Sequence, residues 1–313
     1  MSLDNLKVAV VGAGGTGAFY GGALARAGAE VTMIARGPHL EAIKSNGLQL
    51  KSVLLGDFLI NSAVTDDMSS IGAVDLVILA VKSWGTDAAI DSMSGLVGDD
   101  TVIISTQNGV DSERLLADAF GAEHVLGCTA VVSAMITEPG VVNQAGGPGS
   151  LEIGELFGGP SDRVADLVGR FVETGLAAQA HNNIQLALWQ KFIFICALSG
   201  MTALTRKPIG EIWAQPTTTE MYLQVLTEVA TVGRAEGVDI PESTAADLLS
   251  GTQAREPFII GSMGHDLIAG NPIEIGLLNG RVVELGKQHG VPTPANFAID
   301  AALRPHEAGT GAG

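Results

Sequence analysis

Positive charge is what this chain lacks most. Lys and Arg number 17 against 34 Asp and Glu, a formal net charge of −17 over 313 residues. Such a field repels nucleic acid and anionic membrane surfaces, so neither is expected as a partner. An anionic small molecule would need a local basic site working against that field. Cysteine is equally scarce: Cys128 and Cys196 both lie in apolar runs, which points to buried free thiols in a reducing cytoplasm. His124, His181 and His289 show no metal-ligand spacing with acids or cysteines, so no metal is expected. Long apolar runs are missing too. Phe192–Leu204 is interrupted by Ser199, Gly200 and Thr202 and is too short to span a bilayer. Met1–Leu6 is polar and lacks the apolar core of a secretory signal, so a soluble protein is expected. The 41 glycines are dispersed, with no collagen-like period.

What is present is concentrated at the start. Lys7-Val8-Ala9-Val10-Val11 reads as a buried strand, Gly12-Ala13-Gly14-Gly15-Thr16-Gly17 as a loop opening a helix to about Ala27, and Glu30–Ala35 as the next strand. In this setting Gly12 permits the tight turn, Gly14 lets backbone approach a pyrophosphate, and Gly17 lets the helix pack on the strand. The helix N-terminus adds free N–H groups and the positive end of a dipole. An NAD-binding unit usually ends its second strand with an acid that holds the ribose 2′-hydroxyl. Here Arg36 stands there, and a guanidinium attracts a 2′-phosphate, so NADP(H) is the expected cofactor.

Strands and helices alternate through the first part. Asp75–Val81 and Thr101–Ser105 are continuous apolar runs, as strands buried on both faces require. Ala88–Leu96, Ser112–Phe120 and Asp162–Thr174 read as helices, the second capped by Asp111 or Ser112. Val125–Met135 and Val141–Ile153 are β-rich, with turns at Glu138-Pro139-Gly140 and at Gly146–Gly149. Ala177–Ala180 is a last short strand. From His181 onward only helices are expected, over Ile184–Leu204, Thr218–Glu236, Glu242–Leu249, Phe258–Ala269, Ile273–His289 and Ala295–Leu303. The fold class is therefore α/β: a Rossmann-type doubly wound sheet over residues 1–181, then an all-helical domain over 182–303. Residues 304–313 read as a frayed tail.

Polar side chains at strand ends are the candidates for chemistry. Lys82 follows Leu79-Ala80-Val81, and Asn108 follows Ile104–Gln107, both where parallel strands end and ligands bind. Lys82 is otherwise a surface lysine, and Asn108-Gly109 otherwise a plain turn. Lys191 lies in Leu186–Ile195, apolar on nearly every side of a helix. An unpaired ammonium there is costly, so a lowered pKa, an acidic partner or a polar cleft is expected; snorkelling to the surface is the alternative. Glu274 falls one turn into an expected helix, where it complements the dipole or faces Lys191. Ser262 could hold a substrate carboxylate or cap its helix.

In this order and spacing, Gly12–Gly17, Ala80-Val81-Lys82-Ser83-Trp84, Gln107-Asn108-Gly109-Val110, Leu188-Trp189-Gln190-Lys191, Ser262–Asp266, Ile273-Glu274-Ile275, Leu278-Asn279-Gly280 and Gly290–Pro294 resemble the ketopantoate reductase family across the whole chain. The resemblance implies NADPH-dependent reduction of a 2-keto acid to a 2-hydroxy acid, in pantothenate biosynthesis, at a site between the two domains. It implies Gly12, Ala13, Gly14, Gly15, Thr16, Gly17, Arg36 and Lys82 as cofactor residues, with Asn108 touching nicotinamide and substrate. Lys191 would be the proton donor, Glu274 a hydrogen-bonding partner of the reaction and the cofactor, and Ser262 a substrate residue. A homodimer is possible within the same plan.

Departures cluster on the substrate side. Ile195 and Ser199, one and two turns after Lys191 on the same helix face, stand where the family usually has Asn. Ile209 replaces a further polar residue and Ile259 another Asn. Each lost donor removes roughly 1 kcal/mol, so a more apolar keto acid is expected, with Ser199 the one polar group left at its position. Two alternatives share the two-part plan: an opine-type or 3-hydroxyacyl dehydrogenase, for which no catalytic histidine is convincingly placed, and an NADP(H) sensor without chemistry, against which Lys191 and Glu274 argue.

Overall fold

The structure is a computed structural model and describes residues 3–254 and 257–310. The chain divides into two compact units, Met1–Ala187 and Leu188–Gly313, so the division falls just inside the first long helix and not before it.

In the first unit the apolar runs become strands and the glycine loop a helix start. The elements are β1 (Lys7–Val11), α1 (Gly15–Arg26), β2 (Glu30–Ile34), α2 (Gly37–Asn46), β3 (Leu48–Ser52), β4 (Phe58–Ile60), β5 (Ala63–Thr65) and β6 (Val74–Leu79). They continue with α3 (Thr86–Ser92), β7 (Val97–Ser105), α4 (Ser112–Phe120), β8 (Val125–Glu138), β9 (Val141–Glu155), α5 (Asp162–Glu173) and β10 (Ala178–Ala180). One sheet runs in the order β4-β3-β9-β8-β7-β6-β1-β2-β5, with β10 also paired to β9. Pairing is parallel from β5 through β2, β1, β6 and β7 to β8, and antiparallel between β8 and β9 and between β3 and β4. The chain leaves β1 for β2 on one side and returns to β6 on the other. This reversal puts a topological switch point at the carboxyl ends of β1 and β6.

Helix α1 is enclosed by the curl of this sheet. Phe19, Tyr20 and Leu24 are fully buried, and Phe19 meets Tyr20 edge-on with centroids 5.1 Å apart. Its glycines mark where the sheet comes closest. A Cβ on Gly21 would lie 2.5 Å from Val10 Cγ2, and one on Gly22 would lie 2.6 Å from Ile60 Cδ1. Helix α5 is fastened to the end of β9: Arg163 pairs with Glu155 through Nε at 2.7 Å and through Nη2, and Ser161, whose Oγ accepts the Val164 N–H, donates to the same carboxylate at 2.6 Å.

Several local expectations are corrected. Gly146–Gly149 is not a turn but part of β9, accommodated by register shifts opposite Val131–Ala134. Neither Asp111 nor Ser112 caps α4 through its side chain; Ser112 Oγ donates to Gln107 Oε1 instead. The helix expected to reach Leu96 ends at Ser92 and is followed by a 3-10 turn at Ser94–Leu96.

The second unit, with the end of the preceding chain, is helical: α6 (Ile184–Thr205), α7 (Ile209–Trp213), α8 (Pro216–Ala235), α9 (Thr244–Gln253), α10 (Ser262–Ala269), α11 (Asn279–His289) and α12 (Pro294–Leu303). Helix α6 runs as expected from Ile184, ending one residue later at Thr205. Its 22 residues would be long and apolar enough to cross a membrane, but 72% of the relevant window is buried inside the protein. Phe258–Gly261 and Ile273–Leu278, read from sequence as helical, are not. Of the tail expected over 304–313, residues 304–310 are folded back rather than frayed, and 311–313 lie outside the described residues: Arg304 pairs with Asp300 and Glu307, and the Ile273 N–H donates to the Glu307 carbonyl at 3.0 Å.

A buried carboxylate organises this unit. Glu228 on α8 accepts the backbone N–H groups of Ala295 and Asn296 at 2.9 and 3.0 Å, at the start of α12, and the Asn296 and Gln224 amides at 2.8 and 3.1 Å. The helix N-terminus thus neutralises it. Asn296 Oδ1 in turn accepts from Asn279, whose Nδ2 also donates to the Cys196 carbonyl. Glu228→Ala should cost about 2–4 kcal/mol by stranding buried donors, read as a lower unfolding midpoint in urea. A second expectation concerns pH. The Arg163 guanidinium, outweighing burial, holds Glu155 below its ordinary value of 4.5. That pair contributes stability above this pH and loses it as pH falls through the lowered value. Glu155→Gln should flatten the acid limb of a stability–pH curve; an unchanged limb would remove the pair from the account.

Candidate active site

The strand ends of the first unit carry four of the sequence candidates. The glycine loop leaves β1, Arg36 follows β2, Lys82 follows β6 and Asn108 follows β7. Backbone bonds hold these ends in line: the Gly12 and Ala13 N–H groups donate to the Ile34 carbonyl at 3.2 and 2.8 Å, Ala80 to Val11 at 2.9 Å and Thr106 to Leu79 at 2.9 Å. The loop itself is spatially tight on three sides. Gly12 has φ +104° and a Cβ there would lie 2.8 Å from the Val81 nitrogen, so only glycine fits. A Cβ on Gly17 would lie 2.2 Å from the Gly12 carbonyl oxygen, and one on Gly15 would lie 2.0 Å from that of Ala134 on β8. Gly14 is the exception, with nothing within 4 Å. No side chain caps α1, so the first N–H groups of the helix stay available beside that open space. This is the geometry a pyrophosphate needs.

Arg36 is exposed and precedes α2 as its N-cap in extended conformation. Lys82 is exposed, opens the 3-10 turn Ser83–Gly85 and has its Nζ 5.9 Å from the Trp84 ring centroid. Asn108 is half-buried, and Gly109 beside it has φ +110°.

The loops bearing Lys82 and Asn108 are joined by a residue for which the sequence suggested no such role. Gln107 donates from Nε2 to the Val81 carbonyl and to Thr86 Oγ1, both at 2.8 Å, while its Oε1 accepts from Ser112 at 2.9 Å and Ser105 at 3.2 Å. Every polar atom of its amide is used. Its place between Thr106 and Asn108 in a polar run was the only signal, and partners 26 residues away are not legible from it. His39 escaped notice altogether: its Nε2 lies 2.9 Å from the Ala13 carbonyl and its Nδ1 accepts the Gly140 N–H at 3.0 Å.

In the second unit Lys191 is half-buried on α6, with Ile195 and Ser199 following on its face at helical spacing. Ser199 is buried: the segment before α10 crosses it so closely that a Cβ on Gly261 would lie 2.6 Å from Ser199 Oγ. That segment is pinned to α6 by the Gly261 N–H donating to Thr202 Oγ1 at 3.0 Å, and to the head of α7 by Ile209 N–H donating to the Ile259 carbonyl at 2.9 Å. Ser199, Ile209 and Ile259, three of the positions that depart from the family pattern, therefore share one locale. Ser262 is exposed at the first position of α10 and does not cap it; Gly261 occupies that position. Glu274 is half-buried and lies in the turn before α11, not one turn inside a helix. That turn is anchored to α6 through Asn279, whose amide also lies against Gly200. Among the described residues no group of three or more His, Cys, Asp or Glu could hold a metal ion.

A glycine loop at a switch point, followed in the chain by a helical half, is the plan of a pyridine nucleotide-dependent oxidoreductase. Residues 8–158 match the family Ketopantoate reductase PanE/ApbA, and residues 183–307 match Ketopantoate reductase PanE/ApbA C terminal. A 2-dehydropantoate 2-reductase of Pyrococcus horikoshii is 31% identical over 304 residues, covering 96% of this chain and 98% of its own length. The crystal structure of a PanE/ApbA family ketopantoate reductase from Ralstonia eutropha JMP134 superposes with TM-score 0.88 at 33% identity, covering 96% and 98% of the two chains. D-mandelate dehydrogenase, solved with NADH and anilino(oxo)acetate, superposes with TM-score 0.87 at 25% identity over 96% and 98%. The chain belongs to the ketopantoate reductase family of oxidoreductases.

Gln107→Leu keeps the volume and removes the amide. It should destabilise the protein by about 1–3 kcal/mol and weaken nucleotide binding, measured by urea unfolding and by titration of NADPH fluorescence. Unchanged values in both would show that the two loops do not depend on it.

Proposed function

We propose that the protein reduces a 2-keto acid to the 2-hydroxy acid with NADP(H), and that its substrate carries an apolar side chain. The observation that carries this reading is the full-length family match together with the retention of Lys191 and Glu274. When bound, the nicotinamide supplies the hydride that the chain itself lacks. The open space at Gly14, the uncapped start of α1 and the loop glycines suit a pyrophosphate, and Lys82 and Asn108 belong to the same strand-end row.

Arg36 supports the phosphorylated nucleotide, because a guanidinium forms charge-assisted hydrogen bonds with a 2′-phosphate and has no anion to offer a ribose hydroxyl. Lys191 hydrogen-bonds the substrate carbonyl oxygen, which favours negative charge on that atom as the carbon is reduced, and gives it a proton. The product is the alcohol, and the neutral amine regains its proton from solvent. Glu274 orients the lysine or the nascent hydroxyl. Asn108 contacts both reactants, and Ser262 with Ser199 contributes hydroxyls toward the substrate. Ile195, Ile209 and Ile259, where family members carry polar groups, favour a hydrocarbon side chain over the hydroxyl-bearing one of 2-dehydropantoate. The likeness to D-mandelate dehydrogenase makes an aromatic or branched keto acid the natural comparison.

The experiment is a steady-state panel of 2-dehydropantoate, phenylglyoxylate and branched-chain 2-keto acids with NADPH and with NADH. The expected result is turnover with a preference for NADPH and for an apolar acid. Lys191→Ala should lower kcat on that acid by on the order of 10²–10⁴-fold, and Arg36→Ala should raise the KM for NADPH about tenfold or more while sparing NADH. Equal use of both nucleotides would refute the cofactor assignment. Full activity of Lys191→Ala would refute the proton donor, and no turnover of any acid would leave a nucleotide-binding sensor.

A further inference from the structure

His39 bridges two parts of the first unit that are remote in sequence, the glycine loop at Ala13 and the β8–β9 turn at Gly140. It stands in the first turn of α2, shortly after Arg36. One ring nitrogen, Nδ1, accepts the Gly140 N–H at the tip of the β8–β9 hairpin, and the other lies 2.9 Å from the Ala13 carbonyl in the glycine loop. An amide N–H can only donate and a carbonyl can only accept. Both bonds therefore exist together only on a neutral ring with its hydrogen on Nε2. The hairpin is held to the loop a second time, since the Ala134 backbone of β8 lies directly on Gly15. Its tip also rests on α2, where a Cβ on Gly140 would lie 3.0 Å from Ala42 Cβ.

The consequence for the loop follows from peptide geometry. The Ala13 carbonyl and the Gly14 N–H belong to one planar trans unit and point in opposite directions. Drawing the carbonyl toward His39 turns the Gly14 N–H away from it. That same glycine is the one with open space around it.

We propose that His39 is a positioning residue for the dinucleotide: its neutral imidazole latches the Gly12–Gly17 loop to the β8–β9 hairpin and thereby aims the loop's N–H groups at the pyrophosphate. The proposal rests on reading the first unit as the nucleotide-binding half. It makes the hairpin tip, remote in sequence from the glycine loop, part of what shapes the cofactor site. It also ties the helix headed by Arg36 to the phosphate loop, so both ends of the nucleotide's adenosine diphosphate are positioned by one element.

Charge around the ring does not oppose the neutral form. The titratable side chains on the surrounding elements are Arg36 at the head of α2, Glu41 and Lys44 on it, Lys51 of β3, Asp66 and Asp67 beyond β5 and Glu138 beside the hairpin tip, and all are exposed. Burial, partly offset by the Ala13 carbonyl, lowers the pKa from its ordinary 6.5. The latch is therefore intact at neutral pH and is lost as pH falls through that lowered value, when Nδ1 gains a proton and can no longer accept.

Two measurements on the full chain test this. Nitrogen-15 NMR of the nucleotide-free protein at neutral pH should show an unprotonated Nδ1 and a protonated Nε2 for His39. NADPH titration and steady-state kinetics of H39A should show a KM and Kd for NADPH raised about tenfold with kcat little changed. In the wild type both constants should rise toward acid pH, as protonation of Nδ1 breaks the latch, and the variant should lose that dependence. H39N keeps an acceptor near Nδ1 and H39Q a donor near Nε2, so each should recover part of the affinity; they carry the test if H39A does not fold. A protonated Nδ1 at neutral pH, or nucleotide bound equally well by wild type and all three variants, overturns the latch alone. A wild-type protein that binds neither NADPH nor NADH overturns the nucleotide-binding reading, and this role with it.

Discussion

The first unit depends on one close approach: the carbonyl of Gly12 lies against the Cα of Gly17, with space for a hydrogen and nothing larger. That contact sets how deep α1 sits on β1, and the remaining glycines of the helix repeat the constraint against β2, β4 and β8. Dispersion and burial then favour a single depth, because fully buried neighbours such as Phe19 and Leu24 leave no void to slide into. The start of α1 is thereby fixed relative to the ends of β1 and β6. A binding loop made of backbone can be accurate only if the backbone has no slack, and here the packing removes it.

The second unit meets a comparable demand with polar groups. Among the described residues Glu228 takes its hydrogen bonds from amides, of Gln224, Asn296 and the start of α12, rather than from a basic side chain. Asn296 and Asn279 extend that network to the Cys196 carbonyl on α6. The helix carrying Lys191 and the turn carrying Glu274 are in this way locked to each other and to α8. Such a network tolerates little change, since each member satisfies another that water cannot reach.

Much of this was legible in the sequence, for stated reasons. The apolar runs at Lys7–Val11 and Thr101–Ser105 are buried on both faces and read as strands without ambiguity. The glycine loop was legible because it lies between a strand and a helix. What escaped falls into two physical kinds. One is local: the helical spacing of Ile273–His289 hid the fact that the chain stays extended and turning until Asn279, and Gly146–Gly149 looked like a turn because bulged strands and turns use the same residues. The other is long-range. Gln107 and His39 are ordinary polar residues in sequence, and their importance lies in partners that only folding brings near. The short strands β3 and β4 were likewise missed: β3 does alternate, with Leu48 and Leu50 buried and Gln49 and Lys51 exposed, but runs this brief are held by pairing with β9 and with each other.

The returning end of the chain has a practical bearing. Arg304 spreads its guanidinium over Gly276 and Gly280, and the Glu307 carbonyl receives the Ile273 N–H, so the stretch holding Glu274 is braced from behind by Arg304 and Glu307. A purification handle fused there, or an exopeptidase that trims past His306, would slacken the turn that carries Glu274 without altering any residue in it.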